Sequence, residues 1–416
     1  MSVIKKLSLR SGMLVAVIVL ASSSVYAQRA GSDDEEGAAG PDATIDQQTG
    51  KILSEAIEFL NTDKFVEARA RLADLRVDRL SPFERSRLEQ LLFSLDMNDE
   101  NYEGARSHLQ AAIDSGGLNP QESSTMRYQM AQLWFQEEKW VEGAAAMEAW
   151  ILTEPNPNSG AYYLLAAAYY YQELFDRALP NAQKAVDLAE TPQESWLSML
   201  AALLIQKENY PAALEVVKRM VNMFPDKKNY WLQLSGLYTQ LEDYENGLIV
   251  MEFANYGGML TEAADIRRLA DLYQLQEMPY RAALLMESAL ADGKVEKNLR
   301  SYEGLANNWI AAREFEKAVP LLGLAAELSD NGALFQRMGE VNIQIEEWEA
   351  CIDSFDNALD KGELRDTGYV QLMLGVCYYN LERFNEARTW LDRAANVAAH
   401  RNQARGYLQM IDSKSN

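Results

Sequence analysis

The chain of 416 residues has little cysteine and little histidine, two of each. Two cysteines cannot form a disulfide-stapled miniature domain, and two histidines leave little material for zinc binding or histidine-based catalysis. Basic residues are also scarce, since 39 lysines and arginines are outnumbered by 62 aspartates and glutamates, which gives a formal net charge of −23. Such an acidic chain repels nucleic acid and anionic lipid. We therefore expect no nucleic-acid partner and favour basic protein partners.

One apolar run near the N-terminus, Met13–Ala21, is shorter than the roughly 20 residues that span a bilayer. Lys5, Lys6 and Arg10 precede it, and three serines and a Val-Tyr-Ala sequence follow it, which is the order of a secretory signal. We predict that residues 1–27 are a signal peptide, cleaved at its last residue, and that the mature chain resides in the periplasm without stable membrane insertion. An uncleaved membrane anchor is the alternative.

Residues 28–49 contain no aromatic side chain and are rich in glycine, alanine and acidic residues. A segment of this composition buries too little apolar surface to offset the entropy lost on ordering. The sequence therefore predicts a disordered acidic leader, which is either an inert spacer or a tail that binds a specific partner.

From residue 50 to residue 399 the same residue types recur at intervals of roughly 33 to 38 residues, about ten times in all. The clearest unit contains Leu374-Gly375, Tyr378, Phe384, Ala387 and Ala394. This spacing resembles the tetratricopeptide repeat (TPR), a pair of helices joined by a short turn. The sequence predicts an all-α fold, a TPR superhelical solenoid of about ten helix-turn-helix repeats over residues 50–399, closed by a C-terminal capping helix and tail over residues 400–416.

The repeated columns have a packing reason. Glycine or alanine recurs where the two helices of a unit cross, and aromatic side chains fill the wedge beside them. Some units depart from this pattern. Gly143 and Gly247 replace the usual alanine, which predicts softer helices because glycine costs about 0.5–1 kcal/mol in a helix. Asp96 and Asn342 replace the usual tyrosine, and Glu55 replaces a leucine in the first repeat.

In a solenoid of this kind the first helix of each pair lines the concave side, where side chains that flank the core columns face inward. Reading those positions predicts a partner-binding groove of aromatic, amide and a few charged side chains. Its candidate residues are Tyr128, Gln132, Phe135, Tyr163, Tyr170, Tyr171, Asn229, Gln240, Arg267, Asp271, Asn307, Tyr379 and Asn380. The alternative for several of the tyrosines, especially those within Ala161–Tyr171, is that they pack between repeats.

The chemistry of these residues suits a segment of another protein. Tyrosine offers a large contact area with one polar tip, and asparagine and glutamine both donate to and accept from a peptide backbone. TPR domains that grip a carboxylate need several cations at inward positions, where this chain has little besides Arg267 and Arg300. A lysine-rich or proline-rich extended partner fits the charge better than an acidic tail.

The sequence contains no recognisable catalytic motif. His108 and His400 have no cysteine, serine or acid at a spacing typical of a triad or ligand set, and we expect both on the surface. A glycine-rich phosphate loop, a CxxC pair and an HExxH helix are all missing from the sequence. We predict a protein that is not an enzyme, with no catalytic residue, cofactor, metal site or small-molecule substrate.

Cys351 and Cys377 fall on neighbouring helices. They are either two buried thiols, which is the simpler interpretation, or a disulfide.

One stretch, residues 80–93, together with residues 101–106 and 115–119, resembles the periplasmic TPR component of TonB systems in marine gammaproteobacteria. The resemblance implies an accessory that works beside TonB, ExbB and ExbD inner-membrane proteins in energising outer-membrane uptake of iron carriers or haem. It implies no site residue. The alternative function is a TPR scaffold for cell-envelope assembly, in polysaccharide export or peptidoglycan synthesis.

Overall fold

The computed structural model describes residues 44–415. The predicted signal peptide, residues 1–27, and most of the predicted acidic leader lie outside the described residues. The first helix begins at Gln47, within the predicted leader, because the side chain of Asp46 accepts hydrogen bonds from the backbone N–H groups of Gln48 and Thr49 at 2.9 and 3.3 Å. This cap satisfies donors that lack a partner in the first turn. The helical array thus starts slightly before residue 50.

The described residues divide into two compact units, one ending at Glu208 and one beginning at Asn209. The helices of the first unit are α1 (Gln47–Asn61), α2 (Phe65–Leu72), α3 (Pro82–Asn98), α4 (Tyr102–Asp114), α5 (Pro120–Gln136), α6 (Trp140–Thr153), α7 (Ser159–Tyr171), α8 (Phe175–Asp187) and α9 (Glu194–Gln206). The short helix α2 is followed by a single 3-10 turn, Val77–Arg79, so the first repeat is the least regular of this unit.

The helices of the second unit are α10 (Tyr210–Met223), α11 (Lys228–Gln240), α12 (Tyr244–Tyr256), α13 (Ala263–Leu275), α14 (Pro279–Ala291), α15 (Leu299–Ala311), α16 (Phe315–Leu328), α17 (Ala333–Gln344), α18 (Trp348–Lys361), α19 (Thr367–Asn380), α20 (Phe384–Ala395) and α21 (Arg401–Ser415). Within each unit every helix packs against its neighbours in the chain. The residues that the structure describes form no strand, so the predicted all-α array of helical hairpins is confirmed. The predicted capping helix is α21, which buries Ala404 and Ile411 against α19 and α20.

The turn that precedes each second helix has the same backbone conformation throughout both units. The residue two positions before the helix has a positive φ, for example 58° at Glu138 and 60° at Glu173. This left-handed conformation favours glycine, because a Cβ atom there approaches the following carbonyl oxygen. The residues at this position are Asp63, Glu100, Glu138, Glu173, Glu208, Glu242, Glu277, Arg313, Glu346 and Glu382. Nearly every turn therefore carries a carboxylate where glycine would be less strained.

Small residues lie where the two helices of a pair approach most closely. A Cβ atom on Gly143 would lie 2.4 Å from Cε1 of Phe135, and one on Gly375 would lie 2.6 Å from Cγ of Leu391. A methyl group does not fit at either distance. The glycine at position 143 makes room for the Phe135 ring, and the predicted softness of its helix stays a prediction. At Gly247 a Cβ atom would meet its nearest neighbours at 3.4 Å, so that site is less crowded.

A tyrosine, a glutamate and an arginine form the same contact in two repeats. In the second unit the hydroxyl of Tyr273 donates to Oε1 of Glu252 at 2.7 Å, and Arg281 donates to the same oxygen at 2.9 Å. Burial, followed by the bond to Glu252 and its charge, raises the pKa of Tyr273 to about 12. The corresponding residues of the first unit are Tyr169, Glu148 and Arg177. These contacts join helices of consecutive repeats.

Asparagine and aspartate in the tyrosine column form polar contacts in place of aromatic packing. The buried Asn342 donates to Oγ of Ser354 at 3.0 Å, and Ser354 donates to the backbone carbonyl of Ala350 at 2.6 Å. Asp96, also buried, accepts a hydrogen bond from Arg69 at 2.8 Å. An aromatic ring normally packs at this position of the repeat. The polar side chains that replace it here form hydrogen bonds instead, as buried polar groups require.

A disulfide joins Cys351 of α18 to Cys377 of α19, with the two Cα atoms 6.3 Å apart. Both residues are fully buried in one core cluster. The simpler interpretation of two free thiols is therefore wrong, because the small-residue column of one repeat places Cys351 directly against the first helix of the next. The bond ties two consecutive repeats together.

Candidate partner-binding surfaces

Aromatic side chains of the first unit gather where helices α5 and α7 end and α6 and α8 begin. Tyr171, with 39% of its surface exposed, stacks on Trp140 with ring centroids 4.4 Å apart. Tyr170 meets Tyr171 edge-on at 6.0 Å, with 87° between the ring planes, and contacts Phe175 at 5.7 Å. Burial raises the pKa of Tyr170 and Tyr171, and the charge of Glu138 contributes a smaller increase at Tyr171. We call Trp140, Tyr170, Tyr171 and Phe175 the aromatic cluster.

Phe135 is a core residue and not a groove residue. It is only 3% exposed, and its ring lies 6.3 Å from that of Trp140 and directly against Gly143. The sequence prediction for this position is wrong because a glycine on the facing helix opens a space that the ring fills. The aromatic cluster therefore packs, through Trp140, on the buried ring of Phe135.

The remaining candidates of the first unit are half-buried. Tyr128 packs on Trp150 with centroids 4.7 Å apart, and burial raises its pKa. Tyr163 stacks on Trp196 at 5.5 Å, and burial raises its pKa as well. Gln132 is also half-buried. Tyr163 packs between consecutive repeats, as the alternative interpretation held, whereas Tyr128 packs on the second helix of its own repeat, and both expose only part of their surface.

In the second unit, charged candidates form a group on helices α13 and α15. Arg267 donates to Oγ of Ser301 at 3.2 Å. Partial burial raises the pKa of Asp271, and the positive charges of Arg300 and Arg267 oppose that increase. The side-chain oxygen of Asn307 is buried and accepts no hydrogen bond from any described residue. The structure thus brings Arg267 and Asp271 of α13 close to Arg300 of α15, the helix that also carries the candidate Asn307.

Three amide candidates of the second unit are exposed: Asn229, Gln240 and Asn380. Asn229 and Gln240 lie at opposite ends of α11. Asn380, at the end of α19, donates to the backbone carbonyl of Val376 at 2.9 Å and keeps its exposed position. These side chains are available for contacts with another molecule.

The capping helix covers Tyr379. Its ring meets Tyr407 edge-on at 5.4 Å, its hydroxyl lies 3.9 Å from the sulfur of Met410, and the ammonium group of Lys414 lies 5.0 Å from the ring centre. The chain's own α21 therefore covers part of the surface that the sequence predicts for a partner at this end. Tyr379 is half-buried, and its role as a groove residue stays a prediction.

An exposed apolar stripe on helix α12 was not predicted. Ile249, Phe253 and Tyr256 all lie on the surface, and Tyr256 is 94% exposed. A cavity of about 320 Å³ adjoins the stripe and is lined by Lys218, Val221, Asn222, Trp231, Leu234 and Phe253. The spacing of the stripe, i, i+4 and i+7, is a helical signal that the sequence contains. The core columns of the second helices do not include these three positions, so the repeat pattern alone does not reveal the stripe.

Both histidines, expected on the surface, are half-buried and contact carboxylates. Nδ1 of His108 lies 2.6 Å from Glu89 and its Nε2 lies 3.5 Å from Asp96, while Nε2 of His400 lies 2.8 Å from Asp366. The closest partners are 19 and 34 residues distant in the sequence, so local spacing does not reveal them.

Within residues 44–415, no group of three or more histidine, cysteine or acidic side chains is arranged to hold a metal ion. No helix in the described part of the chain is both long and apolar enough to cross a membrane.

Two protein-family models match parts of the chain. Residues 343–404 match the tetratricopeptide repeat, in agreement with the helical pairs described above. The fold is that of a TPR protein. Residues 156–274 match ChAPs, the Chs5p-Arf1p-binding proteins. Neither of these models describes an enzyme family, and the TPR fold is typical of protein-interaction scaffolds.

Solved TPR structures resemble the chain at low sequence identity. A TPR protein from Parabacteroides merdae is 15% identical, covers 62% of this chain and 99% of its own, and has a TM-score of 0.35. YrrB, described as having an unusual peptide-binding site, is 17% identical over 47% of this chain and 99% of its own, with a TM-score of 0.36. The TPR2AB domain of yeast Sti1, solved in a complex with pHSP90, is 13% identical over 61% and 96%, with a TM-score of 0.33. No protein with a curated description matches the chain.

Proposed function

We propose that this chain is a non-enzymatic periplasmic adaptor that binds segments of partner proteins through the first helices of its repeats. The observation that carries the proposal is that first helices such as α11 and α7 bury their core positions and expose other side chains to solvent. In α11, Leu234 and Leu237 are buried in the core, whereas Asn229 and Gln240 are exposed. Tyr171, on α7 of the first unit, is likewise exposed beside buried core positions.

These exposed side chains are suited to recognition of a polypeptide. An amide group donates and accepts at once, so it can pair with either polar group of a peptide backbone. A tyrosine ring gives contact area at a small cost in conformational entropy. Side chains of this kind bind a protein segment without requiring a deep cavity.

The more specific part of the proposal is that the partners are inner-membrane proteins of a TonB–ExbB–ExbD system that energises outer-membrane uptake of iron carriers or haem. Two sequence features support it. Residues 80–93 resemble the TPR component of such systems, and residues 1–27 have the order of a secretory signal. The acidic charge of the chain favours partners with basic segments.

Photocrosslinking in living cells tests the proposal. A photoreactive residue is placed at Tyr171 or Gln240, on first helices, and at Leu152 as a control, because Leu152 is 87% exposed on the second helix α6. We expect TonB-type proteins to be captured from Tyr171 or Gln240 and not from Leu152, with identification by mass spectrometry.

Other captures contradict the proposal in distinguishable ways. Capture from Leu152 alone would place the binding surface on the second helices. Capture of polysaccharide-export or peptidoglycan-synthesis proteins from Tyr171 would remove the TonB assignment and retain the adaptor function.

A further inference from the structure

The aromatic cluster has an acidic border whose charges are not neutralised locally. Glu138 and Glu173, each in the left-handed turn conformation, are exposed and follow the ends of α5 and α7. Neither carboxylate forms an ion pair with any residue the structure describes. The nearby cations Lys139 and Arg106 both pair with one carboxylate, that of Glu137, with Lys139 at 3.0 Å.

The same holds for the cations on the following helices. Arg177 pairs with Glu148 at 2.6 Å, and Lys207 pairs with Asp176 at 2.6 Å. Around the aromatic cluster, the five carboxylates of Glu137, Glu138, Glu148, Glu173 and Asp176 exceed the four cations Arg106, Lys139, Arg177 and Lys207, so the net charge is negative. A partner that brings lysine or arginine to this border gains Coulomb attraction, whereas an acidic partner is repelled.

The rings themselves favour an extended segment over a helix or a strand. Tyr170 and Tyr171 stand at 87° to each other, so they present two perpendicular walls, and Trp140 holds Tyr171 in place by stacking. A proline ring packs well against such walls, because polyproline II recognition uses preorganised aromatic surfaces. A β-strand would need a sheet edge, and the described part of this unit has only helices.

A polyproline II segment also brings unpaired carbonyl groups, because it has no internal hydrogen bonds. The hydroxyl of Tyr170 has no hydrogen-bond partner among residues 44–415, so it can donate to such a carbonyl. We propose that the aromatic cluster, with Glu138 and Glu173, binds a segment of a partner protein that contains both proline and lysine, in the polyproline II conformation. This inference rests on the proposed adaptor function and specifies the chemistry of the bound segment.

Peptide titration of the full mature chain tests the inference. Three fluorescein-labelled peptides of equal length are compared by anisotropy: a proline-lysine peptide, its analogue with alanine in place of proline, and a proline-glutamate peptide. We expect the first to bind, the second to bind at least about tenfold more weakly, and the third not to bind. Equal binding of the first two peptides would show that charge alone is recognised and would overturn the inference.

Substitutions locate the site. Tyr171→Ala should weaken binding of the proline-lysine peptide at least about tenfold, as loss of an aromatic anchor does. Glu138→Lys and Glu173→Lys should weaken it and reduce its dependence on salt. The matched controls in the second unit are Tyr256→Ala, a highly exposed aromatic residue, and Glu242→Lys, which has the same turn conformation. Circular dichroism confirms that each variant remains helical.

The outcomes separate this inference from the proposed function. If no peptide binds while crosslinking at Tyr171 still captures a partner, the proline-lysine inference is wrong and the adaptor function stands. If the controls weaken binding as much as Tyr171→Ala does, the site is not the aromatic cluster. If the peptide binds at the cluster but crosslinking captures no protein in cells, the adaptor function fails.

Discussion

Gly143 illustrates how a single missing methyl group determines helix packing. Alanine is the better helix former, yet the Phe135 ring occupies the space where an alanine Cβ would lie, 2.4 Å from Cε1. Gly236 on α11 is also helical, but nothing lies within 4 Å of its hypothetical Cβ. The two glycines therefore separate the effect of packing from that of helix propensity.

We expect Gly143→Ala to lower the free energy of unfolding by about 1–3 kcal/mol, because overpacking displaces the ring. Gly236→Ala should raise it by about 0.5–1 kcal/mol, because alanine restricts the unfolded chain. Urea unfolding of the two variants measures both values. A stabilising effect of Gly143→Ala would contradict the close packing described here.

The left-handed turn residues store strain at single positions. Glu277 has a φ of 55°, a conformation that costs a residue with a Cβ about 1–2 kcal/mol. We expect Glu277→Gly to raise the free energy of unfolding by about 0.5–1 kcal/mol, since the gain exceeds the entropy cost of glycine. Glu287→Gly, in the interior of the neighbouring helix α14, is the control and should lower it by a similar amount. Destabilisation by both substitutions would disprove the strain at the turn.

At the scale of helices, contacts between consecutive repeats decide how the hairpins are joined. The Tyr273 hydroxyl and Arg281 share one carboxylate oxygen of Glu252, so three helices, α12, α13 and α14, meet at a single ion. The disulfide between α18 and α19 joins two repeats covalently. Both contacts join consecutive repeats.

The raised pKa of Tyr273 predicts a dependence of stability on alkaline pH. The folded state holds the phenolic proton more tightly than the unfolded state, whose tyrosine pKa is 10.0, against about 12 when folded. The contribution is complete below pH 10 and is lost as the pH rises towards 12. Urea unfolding between pH 9 and pH 12 should therefore show a steeper loss of stability in the native chain than in Tyr273→Phe. The same loss of stability with pH in both proteins would contradict the raised pKa of Tyr273.

The disulfide should stabilise the second unit by about 3.5 kcal/mol in the chain-entropy estimate, for cysteines separated by 26 residues. We expect reduction, or replacement of both Cys351 and Cys377 by alanine, to lower the free energy of unfolding by an amount of this order. Thiol labelling of the unreduced, urea-unfolded protein should find no free thiol. Labelling of two thiols per chain would show that the bond does not form.

At the scale of the whole chain, the repeated columns predict the helices because they record a local period. They predict the surroundings of a side chain less well, and one column shows why. Phe135, Tyr170 and Tyr379 each lie four residues after the small residue of the first helix. Phe135 is buried because a glycine faces it, Tyr170 is half-buried in the aromatic cluster, and Tyr379 is covered by α21.

The periodic pattern does not predict contacts between positions that are far apart in the sequence. The carboxylate partners of His108 and His400 lie on other helices, and the positive φ of residues such as Glu173 follows from turn geometry in residues that normally avoid it. The amides Asn229 and Gln240 are exposed near the two ends of α11, and their role as groove residues stays a prediction.

Affinity purification from the periplasm tests most directly the claim that these stacked hairpins serve to hold partner proteins. The tagged chain, its Tyr171→Ala variant and the control Tyr256→Ala are purified at low and at high salt, and the associated proteins are identified by mass spectrometry. We predict that TonB-type proteins accompany the native chain and the control at low salt, and that high salt or Tyr171→Ala reduces their recovery. Recovery of no partner protein at low salt, in any of the three preparations, would contradict the account, whereas recovery of other envelope proteins in place of TonB-type proteins would contradict the TonB assignment alone.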